Sequence, residues 1–427
     1  WSYAEASPLL VFDYDTNILA AVLDSVQGVK QGDPVSAFAF AFTVQQLYKD
    51  ALAAGDGSVI AAAVQDDLTI IGDYRQVFKV FDRLKELSLD YGLELQANKC
   101  QVLMPKGYDT DNGVDYTPIV DLCTSHNITK YSSHIRVLGV TLSNGNDSAE
   151  EEIRLHVESV IASHDTLFRY LSHPCMPVQI AMLLLRLCML PRFMHFARSL
   201  PPQYVTKAAI DFDKAIMKAF VNIMDIQTDR APLTEHEKFQ IGLKVSKGGI
   251  GLRPMLPMLH AYYFASVVPV LPHLKKLFPS SKYDLLDSPI HNDILDCIIE
   301  LKQQGITDDH MVELGIVTSP LLNADVSMAG MAHAMNGLWN IAPDTIATTG
   351  IQHALTKWIE NKVYDDFLCS LPEHDPMRIR LLSANGKGAS LWQTVIPTKK
   401  LLIVKDENYR FEMRTLLGQW YGYREVK

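Results

Sequence analysis

Two adjacent carboxylates, Asp66 and Asp67, lie between two short apolar runs, Val59–Val64 and Leu68–Ile71. Apolar runs of this length around a polar break are typical of two strands joined by a tight turn. A carboxylate near buried surface is costly unless a partner offsets its desolvation, and paired carboxylates suit a hard cation such as Mg²⁺. The pair therefore predicts a metal site at a hairpin turn, although aspartate is also common in turns that only face water.

Other acidic and thiol groups provide comparisons for this pair. The pairs Asp308-Asp309 and Asp365-Asp366 have polar or helix-forming neighbours, so we expect helix caps or water-facing helix surfaces there. Cys123 and His126 have one ligand-like spacing but no second pair to complete a tetrahedral zinc site. The six cysteines include no CxxC pair, which favours free thiols in a reducing compartment.

Three further segments accompany the aspartate pair. Gln31-Gly32-Asp33-Pro34 precedes a predicted helix from Ser36 to Tyr48, and its glycine and proline favour a tight turn that exposes Gln31 and backbone amides at a helix N-terminus. Downstream, the segment from Gly92 to Cys100 carries Lys99 on a predicted strand. The third segment is Arg136-Val-Leu-Gly-Val140, which contains Leu138 and Gly139.

The order and spacing of these four motifs resemble the palm of reverse transcriptases from non-LTR retrotransposons, over about residues 1–145. The resemblance implies an RNA-directed DNA polymerase that uses Mg²⁺ or Mn²⁺, an RNA template, a DNA primer and deoxynucleoside triphosphates. It implies metal-binding catalytic roles for Asp66 and Asp67, and places Lys99 near the leaving pyrophosphate as a catalytic group. It also implies that Gln31, Gly32, Asp33 and Pro34 bind template and nucleotide, and that Leu138 and Gly139 grip the primer.

Later segments resemble the same family more loosely. Leu184–Arg192, Arg198–Pro202 and Gly248–Arg253 are similar to its helical thumb. The resemblance implies that Arg192 and Arg198 follow the phosphates of the nucleic-acid backbone, a sequence-independent and salt-sensitive contact. Arg186 could do the same, or could be a structural partner because it lies among leucines.

Two departures from the family pattern bear on catalysis. Val64 replaces the tyrosine that precedes the aspartates in the family. The family's first metal-binding aspartate lies well before the Gln31 motif, whereas here only Asp13 and Asp15 precede it, and we interpret both as turn residues. Because the chain starts at Trp1, we expect the fingers and the first catalytic strand to lie in an upstream part of the same polyprotein. We accordingly expect weak or no polymerase activity from these 427 residues alone.

The pattern of elements predicts an α+β fold. A hairpin of Leu9–Phe12 and Ile18–Val22, a helix at Gln76–Tyr91, and strands at Leu93–Leu103 and Ile135–Leu142 form a partial right-hand palm with an antiparallel sheet. A mostly α-helical thumb and C-terminal region follow. The predicted domains are a partial palm at 1–145, a thumb at 146–250 and a helical C-terminal region at 251–427, with a glycine-rich boundary at Lys247–Gly251.

Charge and composition limit the alternatives. The net charge is −10, but residues 181–260 hold 11 Lys/Arg against 6 Asp/Glu, whereas residues 1–110 hold 8 against 15. An acidic metal-binding half followed by a basic half suits an enzyme that holds phosphates. The apolar run at 178–190 is interrupted by Arg186, so no membrane partner is expected. The resemblance implies an intracellular, nuclear protein.

Two competing functions remain open. A catalytically inactive or domesticated reverse-transcriptase domain that binds nucleic acid or protein would account for the acidic net charge and for Val64. An unrelated Mg²⁺-dependent phosphohydrolase could use Asp66 and Asp67, but it leaves the Gln31 and Leu138 motifs unexplained.

Overall fold

The computed structural model describes residues 7–13, 15–16, 18–25, 35–108, 113–145, 147–226, 232–277, 289–316, 350–385, 393 and 404–417. The chain divides into two compact units, Trp1–Gly139 (unit 1) and Val140–Lys427 (unit 2). Unit 1 contains both strands and helices, and unit 2 is mostly helical. The predicted α+β fold class is therefore confirmed. The division into palm, thumb and C-terminal region stays a prediction.

Unit 1 alternates strands and helices. Its strands are β1 Ser7–Phe12, β2 Leu19–Ser25, β3 Ile60–Val64, β4 Asp67–Ile71, β5 Gln101–Leu103, β6 Lys130–Ser132 and β7 His134–Val137. Its helices are α1 Ser36–Leu52, α2 Tyr74–Asp90 and α3 Thr117–Ser125, with a 3-10 turn at Ala97–Lys99. The pairs β1–β2 and β3–β4 are antiparallel, as predicted, whereas β5 and β6 are parallel.

Helix α2, predicted at Gln76–Tyr91, spans Tyr74–Asp90 and has recognisable signals at both ends. The Asp73 carboxylate accepts a hydrogen bond from the backbone N–H of Arg75 at 3.0 Å, which satisfies one of the free donors of the first turn. Gly92 follows the helix with φ +68°, a left-handed conformation that glycine adopts without a steric penalty. Phe78 and Phe81 on its buried face pack with Met104, Ile119, Cys123 and Ile128 in a small core.

Two strand predictions in unit 1 are wrong in part. Of the predicted strand Leu93–Leu103, only Gln101–Leu103 is a strand, and Lys99 lies instead at the end of the 3-10 turn. The predicted strand Ile135–Leu142 is interrupted, because Leu138 and Gly139 have φ +49° and +81°. Two consecutive residues with positive φ are typical of a two-residue hairpin turn, so the chain reverses between β7 and the next strand.

Unit 2 begins with strand β8 Val140–Ser143, and its other described elements are helices. Its helices are α4 Asp147–Ser163, α5 Asp165–Leu171, α6 Val178–Leu184, α7 Leu190–Ser199, α8 Pro202–Met224, α9 Glu235–Gly242, α10 Leu259–Val267, α11 Leu271–Leu277, α12 Pro289–Gln303, α13 Asp308–Glu313, α14 Ile351–Ser370, α15 Pro376–Ala384 and α16 Asp406–Leu416. Short 3-10 turns lie at Val245–Lys247, Leu256–Met258 and Val268–Val270.

One hydrophobic core joins most of unit 2. Phe193, Phe212, Phe220, Tyr262 and Phe264 are fully buried within it. The core takes residues from both sides of the Lys247–Gly251 segment. The glycines there permit close backbone packing, since a Cβ on Gly249 would lie 2.1 Å from the carbonyl oxygen of Leu243.

A continuous helix crosses this core. It runs from Val178 to Ser199 through α6, a π-helical turn at Leu185–Met189 and α7. Among the described residues it is the one helix long and apolar enough to cross a bilayer, by length and composition only, and half of its most apolar window is buried. Its packing against α8 and α10 is that of a core helix, and the expectation of no membrane partner is not contradicted.

Candidate functional site

The aspartate pair lies at the tip of the β3–β4 hairpin. Val64 pairs with Asp67 in the antiparallel register, so Gln65 and Asp66 form the connecting turn. Gln65 has φ +58°, and positive φ in such a turn matches the twist of the flanking strands. Both aspartates are exposed to solvent. The predicted hairpin is therefore confirmed, with its two carboxylates at the water-facing end.

Helices α1 and α2 pack against the hairpin. Leu47 and Ala51 of α1 and Val80 and Leu84 of α2 form a buried cluster. Leu68 and Ile70 of β4 pack against this cluster, as does Val59 before β3. Side chains of a strand alternate between its two faces, so burial of Leu68 and Ile70 determines the register in which Asp67 reaches the end of the strand.

Tyr48 connects α1 to the hairpin turn. Its hydroxyl donates a hydrogen bond to the carbonyl oxygen of Gln65 at 3.0 Å. The pKa of Tyr48 is raised by partial burial first, and then by the negative charges of Asp66 and Asp67. The phenol therefore lies within electrostatic range of both carboxylates.

This donor set fits Mg²⁺ as a partial site. Mg²⁺ is bound in nucleotide-dependent enzymes by one or two carboxylates, with waters and substrate phosphates as the remaining ligands. Asp66 and Asp67 supply two exposed carboxylates. Over the described residues, no group of three or more His, Cys, Asp or Glu side chains is arranged to hold a metal ion.

Lys99 and the Leu138-Gly139 turn belong to a neighbouring part of unit 1. Lys99 is exposed and precedes Gln101, whose side-chain amide donates to the Arg136 carbonyl oxygen and accepts from the Arg136 N–H, each at 3.1 Å. This two-bond contact ties the Lys99 segment to the strand that leads into Leu138 and Gly139. Leu138 is 50% exposed, so its side chain is open to a ligand. Gln31, Gly32, Asp33 and Pro34 lie outside the described residues.

The three arginines of the Val178–Ser199 helix occupy different environments. Arg186 is largely buried in the π-helical turn and donates to the carbonyl oxygens of Ile250, at 3.4 Å, and Gln393. Burial lowers its pKa. Arg186 is thus a structural partner, one of the two roles considered for it. Arg192 and Arg198 are exposed on α7, as a contact with nucleic-acid phosphates requires.

The other candidate acids have structural roles. Asp13 accepts hydrogen bonds from the Asp15 and Thr16 backbone N–H groups and from the Thr16 hydroxyl, at 3.1, 2.8 and 2.7 Å. The bonds from Thr16 hold the pKa of Asp13 below its usual value. The interpretation of Asp13 and Asp15 as turn residues is confirmed.

The comparison groups also have structural explanations. Asp308-Asp309 occupy the first turn of α13 behind the Thr307 cap, and Asp366 of α14 forms an exposed ion pair with Lys362. All six cysteines are free. Cys123 is fully buried in the core of unit 1, and His126 stacks on Phe78 at 5.3 Å.

Sequence analysis missed several residues that shape the candidate sites. Tyr48 lies one position from Leu47 on the buried side of α1, a pattern that indicates partial burial but not its partner. Gln101 shows no sequence signal for its contact with Arg136. Lys244 and Arg253 of unit 2 line a cavity together with Arg198, and only the local excess of positive charge in 181–260 pointed toward them.

The chain was compared with protein families, curated proteins and solved structures. No family model, curated protein or solved structure matches it.

Proposed function

We propose that the chain is the polymerase core of a non-LTR retrotransposon reverse transcriptase, which extends a DNA primer on an RNA template by two-metal phosphoryl transfer. One observation carries the proposal. Asp66 and Asp67 are adjacent and exposed at the tip of a hairpin that two helices hold in position. The other aspartate pairs, Asp308-Asp309 and Asp365-Asp366, lie on helices.

The chain's residues have distinct tasks in this reaction. Asp66 and Asp67 would hold Mg²⁺, which supplies activation of the primer hydroxyl and neutralises charge on the phosphates. The hydrogen bond from Tyr48 keeps the turn in place, so that the carboxylates need little reorganisation to accept a cation. This is the benefit of a preorganised electrostatic site.

Further residues would position the substrates. Lys99, on its exposed turn, would contact the leaving pyrophosphate and could donate a proton to it. The Leu138-Gly139 turn would contact the primer end. Its link to Lys99 through Gln101 would fix the position of these two contacts relative to each other. The remaining assignments are template and nucleotide binding by Gln31, Gly32, Asp33 and Pro34, and backbone phosphate binding by Arg192 and Arg198.

The cellular setting follows from the same proposal. The partners are RNA template, DNA primer and deoxynucleoside triphosphates. The protein would work inside the cell, in the nucleus, where the chromosomal target of a retrotransposon lies.

A catalytically inactive domain that binds nucleic acid or protein is the second candidate. Val64 favours it, because a valine that is 55% exposed stands directly before the turn, where the family has a tyrosine near the primer end. Such a domain would retain the fold and the basic surface while losing primer extension.

Primer extension tests the proposal, with the chain joined to a segment that supplies the family's first metal-binding aspartate. With Mg²⁺ or Mn²⁺, an RNA template and a DNA primer, we expect Asp66→Ala to reduce extension by roughly 100-fold or more, because a metal ligand is lost. The matched control is Asp365→Ala, which removes one acid of an exposed pair on α14 and should leave the rate unchanged.

Two outcomes would decide against the polymerase. Undiminished extension by Asp66→Ala would rule out the assignment of the aspartates. Tight binding of the template–primer duplex without extension, under either metal ion, would favour the inactive domain.

A further inference from the structure

Unit 2 contains a basic cavity of about 400 Å³. Arg198 of α7, Lys244 after α9 and Arg253 before α10 line it, together with Ile351, His353 and Thr356 of α14. Arg198 also lines a neighbouring cavity of about 430 Å³. Binding cavities for small ligands measure about 300–1,000 Å³, so the space accommodates more than a single small anion.

The charges around the cavity do not cancel. Lys244 and Arg253 both form ion pairs with the same carboxylate, that of Glu360, whose side chain is 13% exposed. One carboxylate therefore faces two cations. Arg198 is exposed and forms no ion pair in the part of the chain that the structure describes. Among the described residues, three cations against one carboxylate leave two positive charges at the cavity.

The geometry of the cation cluster suits an anion with several oxygens. Glu360 holds Lys244 and Arg253 in place, and Arg253 also donates to the Tyr262 hydroxyl at 3.4 Å. Two of the three cations are thus preorganised, while Arg198 retains its planar set of donors, which matches phosphate oxygens. A purely structural ion-pair cluster would need neither the third cation nor the open space.

The amino end of α14 adds a further positive contribution. Gly350 precedes the 20-residue helix and has no side chain to cap it. The first intrahelical bond runs from the Ala354 N–H to the Gly350 carbonyl oxygen. The earlier N–H groups of an α-helix have no intrahelical acceptor and attract anions. Ile351 and His353 in this first turn line the cavity.

We propose that this cavity binds the phosphoryl group of a phosphorylated ligand, either a phosphodiester of a nucleic-acid backbone or free phosphate. The proposal gives Arg198 two additional partners, Lys244 and Arg253, and a concave site in which to act. It stands on unit 2 alone and does not rest on polymerase activity, because none of its residues belongs to the aspartate hairpin.

The experiment compares the wild-type chain with Arg198→Ala, using two probes at low ionic strength. Titration calorimetry measures the affinity for inorganic phosphate, and fluorescence anisotropy measures the affinity for an end-labelled single-stranded DNA oligonucleotide. We expect Arg198→Ala to weaken binding roughly tenfold, as for the loss of one charge-assisted hydrogen bond. Arg198→Lys keeps the charge and should retain part of the affinity.

The matched control is Lys214→Ala. Lys214 is a solvent-exposed cation of α8, with its side chain 73% exposed in an ion pair with Asp211, and its removal changes the net charge equally. Because Arg198 is exposed, its variant should fold, which circular dichroism and thermal unfolding would verify. Primer extension is a separate assay, so failure of this proposal and failure of the polymerase assignment are distinguishable.

The pattern of losses identifies the ligand. Weaker binding of both probes supports recognition of the phosphoryl group itself. Loss confined to the oligonucleotide supports a nucleic-acid phosphodiester, and loss confined to inorganic phosphate supports free phosphate. Equal affinities for wild type and Arg198→Ala, or an equal loss in Lys214→Ala, would overturn the proposal.

Discussion

In unit 2, one hydrophobic core encloses large aromatic side chains such as Phe193 and Phe212, which stack at 5.1 Å and are fully buried. The described part of unit 1 instead divides its apolar residues between two small clusters. Phe38 and Phe42 of α1 remain 70% and 71% exposed, although their rings stack at 6.2 Å. Large apolar side chains are thus buried in unit 2, where they stabilise the fold, whereas some of those in unit 1 face solvent.

The carboxylates of the two units also differ in their surroundings. Asp213 of α8 lies inside unit 2, where it accepts hydrogen bonds from the Met255 and Leu256 N–H groups at 2.8 and 3.1 Å. Asp66 and Asp67 of unit 1 face water at a hairpin tip. A buried carboxylate costs free energy unless it is well bonded, so the acid in unit 2 organises structure while the acids in unit 1 face solvent.

Removal of a core phenyl ring gives the largest expected effect. Phe212→Ala should lower the free energy of unfolding by about 3–5 kcal/mol, because it loses buried apolar surface and leaves a cavity. Urea denaturation followed by circular dichroism would measure it. Phe38→Ala in unit 1 is the control and should change stability by no more than about 0.5 kcal/mol. Equal losses in the two variants would contradict the contrast between the units.

The pH dependence of stability tests the buried acid. Burial raises the pKa of Asp213 to about 6 although its two backbone hydrogen bonds lower it. A folded-state pKa above the ordinary aspartate value of 3.8 means that protonated Asp213 favours folding. This contribution is fully present below the unfolded pKa and is lost as pH rises through about 6.

Asp213→Asn removes the titration. Relative to this variant, the wild type should lose up to roughly 3 kcal/mol of unfolding free energy between about pH 4 and about pH 8. Urea titrations of both proteins across that range would measure the difference. The control Asp211→Asn changes an exposed acid of the same helix and should leave the pH profile close to that of the wild type. Parallel profiles for wild type and Asp213→Asn would disprove the assignment.

Loss of the Tyr48 hydroxyl gives the smallest effect. Tyr48→Phe removes the hydrogen bond to the Gln65 carbonyl oxygen and should cost about 1 kcal/mol. Hydrogen exchange of the β3–β4 amides should accelerate, whereas Tyr91→Phe at the end of α2 should leave it unchanged. Unaltered exchange in Tyr48→Phe would show that packing of the hairpin against α1 and α2 holds the turn without this hydrogen bond.

Local elements of unit 1 were predictable where the pattern was long or had a clear break. The β3–β4 hairpin, α1 and α2 follow from apolar periodicity and from Gly92. Helix α3 and strand β6 were missed, because they are only 9 and 3 residues long and carry little periodic signal. The parallel pairing of β6 with β5 joins residues about thirty positions apart, and no local pattern specifies such a partner.

The same limit applies in unit 2. The apolar run at 178–190 lies in the Val178–Ser199 helix, but no sequence pattern indicated its π-helical turn. Arg186 lies in that turn and bonds to carbonyl oxygens of Ile250 and Gln393, far along the chain. The sequence could present Arg186 only as a cation among leucines, with two roles open.

The sequence by itself determined that Asp66 and Asp67 lie at the junction of two apolar strands, because residue alternation and turn preference act over a few neighbouring positions. Only the tertiary structure decided that the Tyr48 hydroxyl bonds to the turn between these strands. It also decided that Arg198, Lys244, Arg253 and the start of α14 surround one cavity. Those contacts depend on how distant segments pack, and packing is a property of the whole unit rather than of any local pattern.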